Sequence, residues 1–320
     1  MRNAQALIFG IDDYEWAPLK GCVNDAQSLE RVLTKNADGS PNFHCHVHTS
    51  DKKQINTDFI NKMSIKFFER EADIMLFYFS GHGEQVYGGY LVSQNATKYN
   101  LGIPLSSILH YANSAIDTGR VKEIVIILDC CFSGNMGDLT HLGDQMSLLK
   151  KGMSILTASN THETAVERQG HGLFTSIICE ALQGGAADVT GDITVASVYN
   201  YAEKILGFWS QRPIFKTYTS RMISLRRSEP KVPIEILHNI TTYFVELDDE
   251  FPLSPAYEPD AEPKCIKKEK VFGNLQKLVS AGLVEPVGEQ YMYYAAMRSK
   301  ACRLTKLGRF YWRMIDNNKL

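Results

Sequence analysis

The sequence has no Cys-x-x-Cys pair, no apolar run approaching the roughly 18 residues a membrane span needs, and no excess of charge of either sign. Its seven cysteines, at positions 22, 45, 130, 131, 179, 265 and 302, follow no regular spacing. An odd, irregular set argues against a disulfide framework and fits free thiols in a reducing cytosol. Thirty-four Lys and Arg against 36 Asp and Glu leave a formal charge of −2, which selects neither nucleic acid nor an acidic partner. Internal repeats are absent. The opening Met-Arg-Asn-Ala runs straight into the strand-like Ala6-Leu7-Ile8-Phe9 with no leader pattern. A cytoplasmic protein without membrane association is therefore the expectation.

What is present is alternation. At 320 residues the chain has room for one large and one small domain, expected here as 1–228 and 229–320. Strand-like and helix-like stretches alternate to about residue 225. Strands are expected at 6–10, 44–49, 74–79, 124–128 and 153–157, and a hairpin around 87–92. Helices are expected near 24–35, 51–70, 105–115, 173–182 and 195–206. This order predicts an α/β fold with a mostly parallel sheet flanked by helices on both faces. Residues 135–151 turn polar and read as an exposed loop, and the proline-rich 251–264 reads as a linker or a long loop.

Two of the apolar runs carry chemistry at their ends. Ile74-Met75-Leu76-Phe77-Tyr78-Phe79 stops at Ser80-Gly81-His82-Gly83, and Ile124-Val125-Ile126-Ile127-Leu128 stops at Asp129-Cys130-Cys131-Phe132-Ser133-Gly134. The C-terminal ends of parallel strands are where open α/β sheets place their sites. If the two strands are neighbours, imidazole and thiol share one crevice, the arrangement of a Cys-His nucleophile pair. Side chains alternate along a strand, so only one of Cys130 and Cys131 shares a face with Asp129. That one is Cys131, which leaves Cys130 for the core. The backbone N–H groups of Gly83 and Cys131 are the candidate oxyanion donors.

These motifs, with Leu19-Lys20-Gly21-Cys22-Val23-Asn24-Asp25 and Gly172-Leu173-Phe174-Thr175, occur in an order that resembles the caspase-like cysteine peptidases, and within them the metacaspases. The fifty-residue gap between His82 and Cys131 is the family's own spacing and belongs to the resemblance. The resemblance implies cleavage after arginine or lysine, with the basic side chain held by Cys22, Asp25, Ser80 and Asp129. Two carboxylates would bind a guanidinium or ammonium through charge-assisted hydrogen bonds. An enzyme with that preference could cut itself after Lys150 or Lys151, at the end of the polar loop, or at Arg168; the plainer reading of Lys150 and Lys151 is two solvated lysines before a strand. Two positions depart from the pattern. Phe132 replaces the usual histidine after the nucleophile. Of the four acids that bind calcium in many metacaspases only Asp138 has a counterpart, and 94–109 holds no acid. Since calcium needs several anionic oxygens, no cofactor is expected.

From about Lys231 the texture changes. A helix at 271–280, Ala281-Gly282-Leu283-Val284, a two-strand wing at 284–287 and 291–295, and a last helix opened by Leu304-Thr305-Lys306-Leu307-Gly308-Arg309 together resemble a small α+β winged-helix domain. The segment 298–319 carries seven Lys or Arg against Asp316. DNA binding is one reading of that stripe, with the caspase-like domain then a scaffold. A regulatory or protein-partner module is preferred, because Glu285 and Glu289 lie in the wing. The histidines at 44, 46 and 48 are read as structural and not as metal ligands. The whole is expected to be an endopeptidase acting on protein or peptide substrates, conditionally active in a stress or defence pathway.

Overall fold

The computed structural model describes residues 2–86, 88–133, 149–158, 167–168, 171–207, 213–219 and 222–320, and for 131–133 and 167–168 the backbone alone. Most of the polar loop after Cys131, Asp138 included, lies outside the described residues. The chain forms two compact units. The first is Met1–Ala187 with Asp192–Glu229, and the second is Pro230–Leu320 with the inserted tetrapeptide Asp188–Gly191.

The first unit is built on an eight-stranded sheet. Its strands are β1 (Ala4–Gly10), β2 (Phe43–Thr49), β3 (Ala72–Glu84), β4 (Tyr90–Thr97), β5 (Asn100–Pro104), β6 (Val121–Ser133), β7 (Met153–Thr157) and, beyond the short pairs β8 (Glu167–Arg168) with β9 (His171–Gly172) and β10 (Asp192–Thr194) with its partner, β11 (Ile214–Tyr218). The spatial order is β11-β7-β6-β3-β1-β2. Every contact from β7 to β2 in that order is parallel, and β11 closes one edge antiparallel. Strand β12 (Ser224–Arg227) pairs with β10. Such a sheet must be covered on both sides, because the middles of its central strands, 74–79 and 124–128, are apolar on both faces. One face packs Met75, Phe77, Phe79, Ile126 and Leu128 beneath α2 (Thr57–Phe68) and α3 (Leu105–Asp117). The other packs Leu76, Tyr78, Val125 and Ile127 beneath α1 (Cys22–Thr34), α4 (Leu173–Glu180) and α5 (Val195–Leu206).

Gly10 sets how closely α1 approaches the sheet. A Cβ there would collide with the Cys22 carbonyl and lie 2.8 Å from the Ala26 Cβ. The hairpin expected around 87–92 joins β3 to β4, with Gly83 opposite Leu91. A second hairpin, β4 with β5, extends it.

The second unit holds α6 (Ile234–His238), α7 (Ile240–Tyr243), β13 (Glu250–Pro252), α8 (Ile266–Ser280), β14 (Val284–Pro286), α9 (Met292–Met297), β15 (Ala301–Leu304) and α10 (Lys306–Asp316). Its strands form an antiparallel sheet in the order β13-β15-β14. Val189 is buried in this unit's core, and its carbonyl accepts from Lys231 N–H at 3.0 Å.

One expectation fails here. The strand expected at 291–295 is the helix α9; β14 pairs with β15 instead. Met292, Ala295 and Ala296 are buried while Tyr293 and Tyr294 face out, a helical spacing of apolar positions. The segment 251–264, expected as a linker or a long loop, is partly ordered packing. Phe251 lies in β13, and a single turn of 3₁₀ helix spans Pro255–Tyr257. Among the described residues no helix is long and apolar enough to cross a membrane.

Candidate active site

Strands β3 and β6 run side by side, and their register sets His82 directly opposite Cys131 and Ser80 opposite Asp129. Neighbouring strands lie about 4.8 Å apart, so the two chemistry-bearing positions are adjacent at the C-terminal rim of the sheet. Cys130 is buried in the core on the opposite face, as alternation requires.

His82 is held on three sides by the loop between β1 and α1. Its Nε2 lies 2.7 Å from the Ala17 carbonyl. A carbonyl only accepts, so Nε2 carries a proton, and in the tautomer this assigns Nδ1 is the nitrogen that can accept one. Trp16 stacks on the imidazole with centroids 4.8 Å apart, and Tyr14 meets it edge-on at 4.6 Å. The Tyr14 hydroxyl accepts from His82 N–H at 3.1 Å and donates to the Val92 carbonyl at 3.0 Å. Burial pushes the Tyr14 hydroxyl well above its ordinary pKa, so it stays a donor. None of Tyr14, Trp16 and Ala17 was identified from the sequence. A Tyr-x-Trp in a loop after the first strand was the available signal.

The four residues expected to hold a basic side chain converge beside this pair. Cys22 and Asp25, three apart on α1, share a helix face. Asp12, also missed, anchors that helix: its Oδ1 accepts from Cys22 N–H at 2.8 Å and its Oδ2 from Val23 N–H at 3.2 Å. Negative charge suits a helix N-terminus. The Cys22 thiol, pushed well up by burial, is hydrogen-bonded to the buried Ser80.

Both carboxylates approach Gly172. Asp25, which is 2 % exposed, accepts from Gly172 N–H at 3.0 and 3.2 Å and lies 3.1 Å from His171 Nδ1. Asp129 Oδ2 accepts from the Thr175 hydroxyl at 2.5 Å, and Thr175 also contacts Tyr78, whose hydroxyl is 2.6 Å away. Burial raises the Asp129 pKa, and the bonds from Thr175 oppose that rise. Gly172 must be glycine, because a Cβ would lie 2.8 Å from Asp25 Oδ2 and 3.0 Å from Asp129 Oδ2.

Lys150 and Lys151 are not near this site. They precede β7, whose first residue Met153 pairs with Ile124, seven residues before Cys131 on β6. At about 3.3 Å per residue that is roughly 23 Å away, at the opposite end of the sheet. Lys150 lies 3.4 Å from Asp117, and its backbone N–H donates to Asn113 Oδ1 at 3.3 Å. Arg168 contributes its backbone to the β8–β9 pair. Among the described residues no group of three His, Cys, Asp or Glu is placed to hold a metal. His44 and His46 pack edge to face, and burial among Phe9 and Phe59 lowers the His48 pKa to about 4.

The chain is similar in fold to protein GSU0716 from Geobacter sulfurreducens, with a TM-score of 0.51 and 12% identity over 71% of this chain and 98% of that one. Pro-sf-caspase-1 aligns with a TM-score of 0.49 and 14% identity, covering 70% of this chain and 94% of that one. For drICE the values are 0.45 and 15%, covering 70% and 91%. A search of curated protein sequences finds no match. The profile of the caspase domain, however, matches residues 3–222, the span of sequence that builds the sheet, the His82–Cys131 register and the paired acids. By that match the chain belongs to the caspase-domain family.

Proposed function

We propose that this protein is a metacaspase-like cysteine endopeptidase cleaving after arginine or lysine, with Cys131 as nucleophile and His82 as its acid–base partner. The observation that carries the reading is the β3–β6 register, which pairs positions 82 and 131 beside two converging acids. Asp25 and Asp129 suit a cationic side chain and would repel an acidic one.

The chemistry follows from the tautomer. With Nε2–H committed to the Ala17 carbonyl, Nδ1 takes the thiol proton as sulfur bonds to the substrate carbonyl carbon. The backbone N–H groups of Gly83 and Cys131 receive the developing oxyanion. The imidazolium then returns its proton from Nδ1 to the leaving amine as the C–N bond breaks, leaving a thioester. Water attacks that ester with the same nitrogen as base, which regenerates the thiol. These steps use no metal, and chelation with EGTA is expected to leave the rate unchanged.

The test is a panel of fluorogenic peptides ending in Arg, Lys or Asp, beside the Cys131→Ala protein. Turnover is expected with Arg and Lys only and is expected to vanish in the variant. Cleavage after Asp would overturn the pocket assignment, and no Cys131-dependent turnover would overturn the whole reading.

For the second unit we propose a regulatory role through a protein partner. Much of its basic stripe is already neutralised. Arg298 and Lys300 both bind Glu289, at 2.9 and 2.7 Å, Arg303 binds Glu285 at 2.9 Å, and Arg309 binds Asp248 at 2.7 Å. Charges matched within the fold release few counterions on DNA, so little salt-dependent DNA retention is expected.

A further inference from the structure

We propose that a cavity walled by His82 on the β4 edge of β3 is the subsite for the residue that follows the cleaved bond, and that it selects a large apolar side chain there. The inference rests on the proposed His82–Cys131 chemistry and assigns what that reading leaves open, the leaving-group side of the substrate.

The end of β3 has two edges. Strand β6, with Cys131, occupies one through the pairing of His82 with Cys131 and Gly83 with Phe132. Strand β4 occupies the other, through Gly83 with Leu91 and Glu84 with Tyr90. A cavity of about 460 Å³ opens on this second edge. His82 is part of its wall, together with Trp16, Val92, Ala96 and Leu101. Glu84 and Lys98, of opposite charge, also border it, so the site favours neither sign. Trp16 is 60 % exposed, a large aromatic surface left uncovered beside the reacting imidazole.

The direction of the reaction connects the cavity to the substrate. Sulfur arrives from the β6 edge. The amine leaves with the proton that Nδ1 gives it, so the chain beyond the broken bond passes along the imidazole. On the edge of β3 away from β6, the surface that the imidazole offers it is the wall of the cavity. Its walls are chiefly carbon, and an apolar side chain of leucine, methionine or phenylalanine size gains by leaving water there.

The test compares peptides with a fixed arginine before the bond and either leucine or aspartate after it. An arginyl methyl ester, whose leaving group has no side chain, serves as the reference substrate. The proteins are the wild type, Ala96→Trp to fill the cavity, and Leu101→Asp to charge it. Leucine is expected to exceed aspartate about tenfold or more in kcat/KM. Both variants should lose most of that ratio while hydrolysing the ester at the wild-type rate. Intact ester hydrolysis with a ratio near one in the wild type, or with the ratio unchanged in both variants, would overturn the subsite and leave the protease reading standing. Absence of Cys131-dependent ester hydrolysis would overturn both.

Discussion

The carboxylate of Asp25 receives the backbone N–H of Gly172 on both of its oxygens, at 3.2 and 3.0 Å. The glycine thus tethers the acid on α1 to the segment that starts α4. Substituting Gly172→Ala drives a methyl group against two carboxylates, at 2.8 and 3.0 Å. The expected outcome is a tenfold or greater loss of kcat/KM on arginine substrates, with KM rising more than kcat falls. Steady-state kinetics on the variant checks this.

Asp129→Asn separates stability from specificity. Because burial raises the Asp129 pKa above its ordinary value, the folded protein holds that proton more tightly than the unfolded chain. The contribution to stability is therefore largest below the ordinary aspartate range and falls as pH rises through the raised value. At neutral pH the ionised carboxylate is a cost, and asparagine removes it while still accepting from Thr175. Asp129→Asn should raise Tm at pH 7 by about 2 °C, show no such gain at pH 3, and abolish the preference for Arg and Lys. Thermal denaturation at the two pH values, with the peptide panel, decides it.

Thiol labelling should single out the nucleophile. Burial pushes Cys45 up to about 11, Cys179 and Cys302 up to about 12, and Cys22 well above its ordinary value. Thiols so protonated react slowly with alkylating agents. Brief iodoacetamide treatment at pH 7.5, followed by peptide mass spectrometry, should modify Cys131 ahead of these four. Equal labelling of Cys179 and Cys131 would contradict an activated thiol.

Cleavage after Lys150 or Lys151, if it occurs, should require a second molecule. The lysines start roughly 23 Å from the His82–Cys131 pair, at the other end of the sheet. The first-order rate constant for self-cleavage should therefore rise in proportion to protein concentration, and active enzyme should cut Cys131→Ala protein added to it. A rate constant independent of dilution would show that the sheet end can reorganise.

Much of this site could be read from the chain because buried parallel strands write themselves as uninterrupted apolar runs. The apolar runs of β3 and β6 stop at Ser80 and Asp129, although the strands themselves continue to Glu84 and Ser133, and the candidate site residues stand in those polar extensions. The loop holding Tyr14, Trp16 and Ala17 has no periodicity, and its role depends on a carbonyl, which every residue has. Asp12 acts across ten residues on the start of α1, beyond any local capping pattern. In the second unit, the strand expected at 291–295 rests on the winged-helix resemblance. Burial of Met292, Ala295 and Ala296 at helical spacing decides for a helix, since tertiary packing there follows this chain's own apolar positions.

The four residues Asp188–Gly191 belong by packing to the later unit but by sequence to the earlier one. The two bodies are therefore interleaved along the polypeptide, and no single cut separates them cleanly. Cutting after Glu229 would strip Val189 and its bond to Lys231 from one body and leave the other carrying a loose apolar remnant.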